Sequence, residues 1–107
     1  MIRRLNDKNI DKLFEAILTL KSVEECYDFF EDICTVDEVQ GISRRLCAAK
    51  MLMDNRVYSD ITSETGLSTA TISRVNRSMK YGNGGYAMVF DRMEGADKEK
   101  NPDNKEN

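Results

Sequence analysis

The sequence predicts an all-α protein, and three observations carry that prediction. Apolar residues recur at intervals of three and four along most of the chain rather than in alternation. The single proline, Pro102, lies near the C-terminal end, so no proline interrupts a helix before it. Two Ser/Thr-x-x-Glu stretches stand just ahead of apolar runs. There a hydroxyl and a carboxylate can satisfy the free N–H groups that open a helix.

Met1 to Asn9 is polar apart from Ile2 and Leu5 and reads as a loosely attached arm. Ile10, Leu13, Phe14, Ile17 and Leu20 then mark one face of a first helix. Ser22-Val23-Glu24-Glu25 opens a second, with Ser22 able to cap and Glu25 to reach back. Its face carries Val23, Cys26, Tyr27, Phe30, Ile33 and Cys34, with Phe29 adding a second apolar side. Thr35-Val36-Asp37-Glu38 repeats the pattern and starts the longest helix, expected to run to about Arg56. Along it Val39, Ile42, Leu46, Ala49 and Met53 keep the spacing of a coiled-coil seam, and Cys47, Met51 and Leu52 widen the apolar surface. A helix in a monomer needs only one buried face, so this width predicts a helix shared between subunits.

The stretch from Tyr58 to Gly82, YSDITSETGLSTATISRVNRSMKYG, reads as a helix-turn-helix. Ile61, Leu67, Ile72 and Val75 supply the inner face of two short crossed helices. Gly66 falls where the first helix must end, at a position suited to positive φ, and Ser68 can cap the second. Thr69, Thr71, Ser73, Arg74 and Arg77 are expected on the exposed side of that second helix. Their side chains suit phosphates and base edges. Gly82, Gly84 and Gly85, around Asn83, break the chain, and Tyr86 to Phe90 with Met93 form a short apolar helix. The expected domain is residues 1–95, followed by a disordered polar tail, residues 96–107, whose only apolar residue is Ala96.

The net charge of −3 does not advertise a nucleic-acid partner, but its distribution does. No acidic residue occurs from Thr65 through Phe90, where Arg74, Arg77 and Lys80 make a local basic patch. The chain has no histidine, no phosphate-cradling glycine loop and no clustered carboxylates, so an enzyme is not expected. Its three cysteines, Cys26, Cys34 and Cys47, lack metal-ligand spacing, and no metal or cofactor is expected. Cys26 and Cys34 are read as small packing residues in a reduced, cytoplasmic protein. No secretory signal or bilayer-spanning run is seen, so no membrane association is expected.

These residues resemble the tryptophan repressor superfamily of small helical DNA-binding proteins, and more closely its YerC/YecD-type, TrpR-like branch. The resemblance covers roughly Leu13 to Phe90. It is carried by Ala70-Thr71-Ile72-Ser73-Arg74 and Asn76-Arg77-Ser78-Met79-Lys80, with an upstream block of Thr35-Val36-Asp37-Glu38, Gly41, Ser43, Arg44 and Arg45 in the same register. It implies a helical bundle forming an intertwined homodimer that binds pseudo-palindromic double-stranded DNA, with half-sites about 34–36 Å apart. It further implies DNA contacts by Ser68, Thr69, Ala70, Thr71, Ser73 and Arg74, which Arg77 and Lys80 extend as phosphate contacts. The positions of Thr35, Arg45, Arg74 and Ser78 correspond to the family's tryptophan pocket. Two residues depart from the pattern: Val75 replaces a glycine beside the indole, and Arg77 replaces a neutral residue. A branched side chain at 75 fills part of that pocket, so tryptophan is not expected as corepressor and the effector is open.

Some assignments stay divided at this point. Arg74 is a DNA reader, a ligand-pocket residue or a solvated arginine, with DNA contact favoured. Arg45 is half of a ligand site or the partner of a carboxylate on another helix, with the structural role favoured. The leading function is a dimeric, sequence-specific transcriptional regulator, a repressor on the family pattern. The alternative is a dimeric helical protein that uses the same helices for protein or RNA contact, without an operator of its own.

Overall fold

The structure, a computed structural model, describes residue 3 and residues 5–100, with side chains as far as residue 98. Among the described residues six helices follow one another: α1 (Lys8–Ile17), α2 (Val23–Ile33), α3 (Val36–Met53), α4 (Tyr58–Thr65), α5 (Thr69–Tyr81) and α6 (Gly85–Lys100). No strand occurs among them, as expected of an all-α chain. The chain divides between Val39 and Gln40, within α3, into two compact units.

The first unit holds α1, α2 and the opening turn of α3. Helix α1 starts inside the expected arm, because the Asp7 carboxylate accepts the Asn9 N–H at 2.6 Å and caps it. It stops at Ile17, where the Thr19 hydroxyl donates to the Ala16 carbonyl at 2.6 Å, so Leu20 lies beyond the helix it was expected to close. At α2 the Ser22 hydroxyl accepts the Glu25 N–H at 3.1 Å. The Glu25 carboxylate reaches one residue further back than expected, to the Lys21 N–H at 2.9 Å. The second capping box closes fully: Thr35 Oγ1 accepts the Glu38 N–H at 3.1 Å, and Glu38 Oε1 accepts the Thr35 N–H at 2.8 Å. Those hydrogen bonds, the backbone one first, hold the Glu38 carboxyl below the usual carboxylate range. No residue of α1 or α2 is buried, and Leu13, Phe14, Leu18, Val23, Tyr27 and Ile33 are exposed.

The second unit is organised by two adjacent alanines of α3. Ala48 and Ala49 are both fully buried but belong to different clusters, since successive helical residues point about 100° apart. Ala48 and Met51 pack with Ile61 of α4 and Ile72 of α5, flanked by Leu52, Tyr58 and Leu67. Ala49 packs with Val75 of α5 and Phe90 of α6, flanked by Leu52, Met79 and Tyr86. Small side chains here let the later helices approach α3 closely on both flanks.

Helix α3 ends in a turn that closes itself. Asn55 takes a left-handed φ of 61°, the Asn55 N–H donates to the Leu52 carbonyl, and the Arg56 N–H donates to Met51, both at 3.0 Å. Arg56 then pairs with α4, donating to Glu64 at 2.9 Å and lying 3.6 Å from Asp60. At the other end of α5, a side chain on Gly82 would run into the Ser78 carbonyl, and Gly84 takes a φ of 77°.

Helix α6 corrects one expectation. Residues 96–100, assigned to a disordered tail, continue the helix as far as Lys100. An exposed helix needs no apolar residue to extend it, and Ala, Lys and Glu are strong helix formers. Residues 101–107 of the expected tail lie outside the described residues, as do Met1, Ile2 and Arg4 of the expected arm.

Candidate functional site

The candidate site is built on α4, α5 and the turn between them. Thr65, the last residue of α4, is buried, and its hydroxyl donates to the Ile61 carbonyl at 2.7 Å. The same oxygen accepts the Leu67 N–H at 3.2 Å, so one side chain ties the helix to the turn. Gly66 follows in the left-handed region with φ 75°, a conformation that costs other residues energy. Ser68 then caps α5, its hydroxyl accepting the Thr71 N–H at 3.1 Å. The role of Thr65 was not legible in the sequence, where it is one of several threonines without a pattern of its own.

Burial sorts the faces of α5. Ile72 and Val75 are buried, and Thr71, Asn76 and Met79 are half-buried. Ser68, Thr69, Ala70, Ser73, Arg74, Arg77, Ser78 and Lys80 are exposed. Thr71 is the exception to the expected exposed set. Its position is turned inward by the same helix phase that buries Ile72 and Val75, and its hydroxyl accepts a bond from Ser68 Oγ at 3.1 Å. Both oxygens of that pair therefore serve the helix start, which leaves Thr69, Ala70, Ser73, Arg74, Arg77 and Lys80 on the open ridge.

The ridge is cationic without local compensation. Among the described residues the ion pairs are those of Lys50 with Asp54 and of Arg56 with Asp60 and Glu64, so Arg74, Arg77 and Lys80 are unpaired. Among the described residues Arg45 has no carboxylate within ion-pair distance either.

Arg45, Arg74 and Ser78, three of the four candidate ligand residues, line one cavity of about 220 Å³ together with Thr71, Val75 and Tyr86. The sequence offered no signal for Tyr86, which comes from α6 beyond the glycine break. Val75 both lines this space and packs in the Ala49–Phe90 cluster. Thr35, the fourth candidate, belongs to the other unit, where its hydroxyl caps α3. The three cysteines are free, half-buried at 26 and 34 and exposed at 47. Among the described residues no cluster of His, Cys, Asp or Glu could hold a metal, and no helix is long and apolar enough to cross a membrane.

A helical chain with a capped second helix, a left-handed glycine before it and an open cationic ridge along it is a helix-turn-helix protein. Residues 8–94 match the family described as Trp repressor protein, and the chain belongs to that family. It is 51% identical over 92 residues to the uncharacterised protein YerC of Bacillus subtilis (strain 168), covering 86% of this chain and 88% of YerC. It is similar to a TrpR-like protein from Eubacterium eligens ATCC 27750, solved as a crystal structure, with a TM-score of 0.81 and 54% identity. That match covers 84% of this chain and 93% of the other. A crystal structure of a proposed Trp repressor from Staphylococcus aureus matches with a TM-score of 0.80 and 53% identity, over 83% and 89% of the two chains.

Proposed function

We propose that this protein is a sequence-specific DNA-binding transcriptional regulator, a cytoplasmic repressor that reads pseudo-palindromic double-stranded DNA as a homodimer. The observation that carries the reading is the division of α5. Ile72 and Val75 are buried on one side, and Thr69, Ser73, Arg74, Arg77 and Lys80 stand exposed and free of carboxylates on the other. Helix-turn-helix proteins place such a helix in the major groove, its N-terminal residues at base edges and its later cations at phosphates. Family membership supports the same reading.

The dimer is supported by unpartnered apolar surface. α1 and α2 bury no residue, and α3 leaves Ile42, Leu46 and Met53 exposed. A chain with this much exposed apolar surface gains by covering it with a second copy.

Selection from a random duplex pool tests the function. A specific regulator enriches one palindromic sequence, with an affinity that falls steeply as salt rises. A pool that returns no preferred sequence, or RNA or protein captured in its place, rejects the reading. Tryptophan is not part of the proposal, because Val75, a branched residue where the family resemblance places a glycine, is among the residues that line the cavity. Saturable tryptophan binding in a calorimetric titration would contradict that argument.

A further inference from the structure

We propose that Tyr81, the last residue of α5, donates its hydroxyl to a DNA phosphate at the wall of the groove and holds the helix there without adding charge. That role rests on the reading of α5 as the DNA-facing helix.

Helical phase puts Tyr81 in line with the ridge. Successive residues of a helix turn by about 100°, so Ala70, Arg77 and Tyr81 point within about 40° of one another. Their line runs opposite the buried Ile72 and Val75, with Ser73 and Arg74 beside it, and all five of these ridge residues are exposed. Tyr81 ends the line and is 81% exposed. It packs in neither cluster of the second unit and pairs with no other aromatic ring among the described residues. Among them its hydroxyl also has no hydrogen-bond partner. Packing therefore gives no reason for an aromatic residue here. The sequence places no carboxylate from Thr65 through Phe90, so nothing nearby repels a phosphate.

Length decides which part of the duplex Tyr81 meets. At 1.5 Å per residue, about 18 Å of helix separate Tyr81 from Thr69. The major groove is about 12 Å wide. With Thr69 and Ala70 at base edges, Tyr81 lies beyond that width, at the sugar–phosphate wall. A tyrosine hydroxyl is one of the side-chain donors that phosphate oxygens accept.

The contact differs in kind from those of Arg77 and Lys80. A neutral donor releases no counterion from DNA, so its contribution persists as salt rises while those of the cations fall. Tyr81 thereby supplies affinity that is independent both of sequence and of salt.

The test compares the unsubstituted full chain with Tyr81→Phe and Tyr81→Lys in anisotropy titrations at several salt concentrations, on the selected duplex and on an unrelated one. Tyr81→Phe keeps the ring and removes only the hydroxyl. It should weaken both duplexes by the same factor, roughly ten-fold, with an unaltered salt slope. Tyr81→Lys sets a cation at the same place, so it should recover binding at low salt and steepen the slope by about 1 for each bound chain. Denaturation midpoints and light-scattering masses of both variants should equal those of the unsubstituted chain, because the side chain packs in neither cluster.

Unaltered DNA binding in Tyr81→Phe, a loss confined to the selected sequence, or a salt slope unmoved by Tyr81→Lys each overturns the phosphate contact. A changed mass in either variant would assign Tyr81 to the contact between subunits and overturns it as well. A chain that binds no duplex overturns the reading of α5 itself. A chain that binds DNA and is weakened by Arg74→Ala, yet is indifferent to Tyr81→Phe, overturns this contact alone.

Discussion

Ser68 and Thr71 are joined twice at the start of α5: the Thr71 N–H donates to Ser68 Oγ, and Ser68 Oγ donates to Thr71 Oγ1, both at 3.1 Å. The first bond satisfies one of the free N–H groups at the helix start, and the second fixes the Thr71 side chain. Ser68→Ala removes both and should cost ~1 kcal/mol of stability. Chemical denaturation measures this. A midpoint equal to that of the unsubstituted protein would show that the cap contributes nothing.

Thr65 performs the matching task at the end of α4. Thr65→Val keeps the shape of the buried side chain but leaves the half-buried Leu67 N–H without its acceptor. The expected loss is ~1–3 kcal/mol, the cost of an unsatisfied buried donor. Denaturation again decides, and a loss below a few tenths would mean that water replaces the hydroxyl.

The Thr35–Glu38 box predicts a pH dependence. The Glu38 carboxyl is held below its ordinary value of 4.5 by hydrogen bonds that exist only in the folded state. Its folded pKa is thus the lower one, so its contribution is fully present above the unfolded value. That contribution is lost as pH falls through the folded value. Glu38→Gln should therefore be less stable than the unsubstituted protein at pH 7, and the two should converge as pH drops below 4.5. A difference that stays constant across that range would refute the assignment.

Arg74 and Lys80 should behave differently on DNA. Arg74→Ala should cost ~1–3 kcal/mol at the preferred sequence and relax specificity there. Lys80, late in α5, is expected at a phosphate. Lys80→Ala should weaken all duplexes about equally and reduce the salt slope by about 1. Anisotropy titrations at several salt concentrations separate the two, and interchangeable behaviour would remove the base-reading role from Arg74.

Oligomeric state follows from the exposed apolar residues of α1 to α3. Light scattering on a gel-filtration eluate should give twice the chain mass of 12.2 kDa. A monomer at every concentration would leave Leu18, 83% exposed, and Val23, 72% exposed, without cover. It would thereby exclude the dimer.

Much of the fold was legible in the sequence because it is local. Ser22, Thr35 and Ser68 cap helices they immediately precede, and the glycine at 66 marks a turn that only its neighbours define. The helix ends were harder to place. Asp7 and Thr19 move the two ends of α1, and the polar residues after Gly95 extend α6 where burial alone gave no reason for a helix.

By itself the sequence determined the order of helices, the turn between α4 and α5, and the charge asymmetry of α5, since each depends on residues within a turn or two of one another. The tertiary structure decided which face of α5 is free. Ala48 and Ala49 admit Ile72 on one flank of α3 and Val75 on the other, and that fixes the rotation of the helix. It thereby turns Thr71 inward and brings Arg45, Arg74, Ser78 and Tyr86 around one cavity from three separate helices. No spacing rule encodes that meeting, because it comes from burying small residues against large ones far apart in the chain.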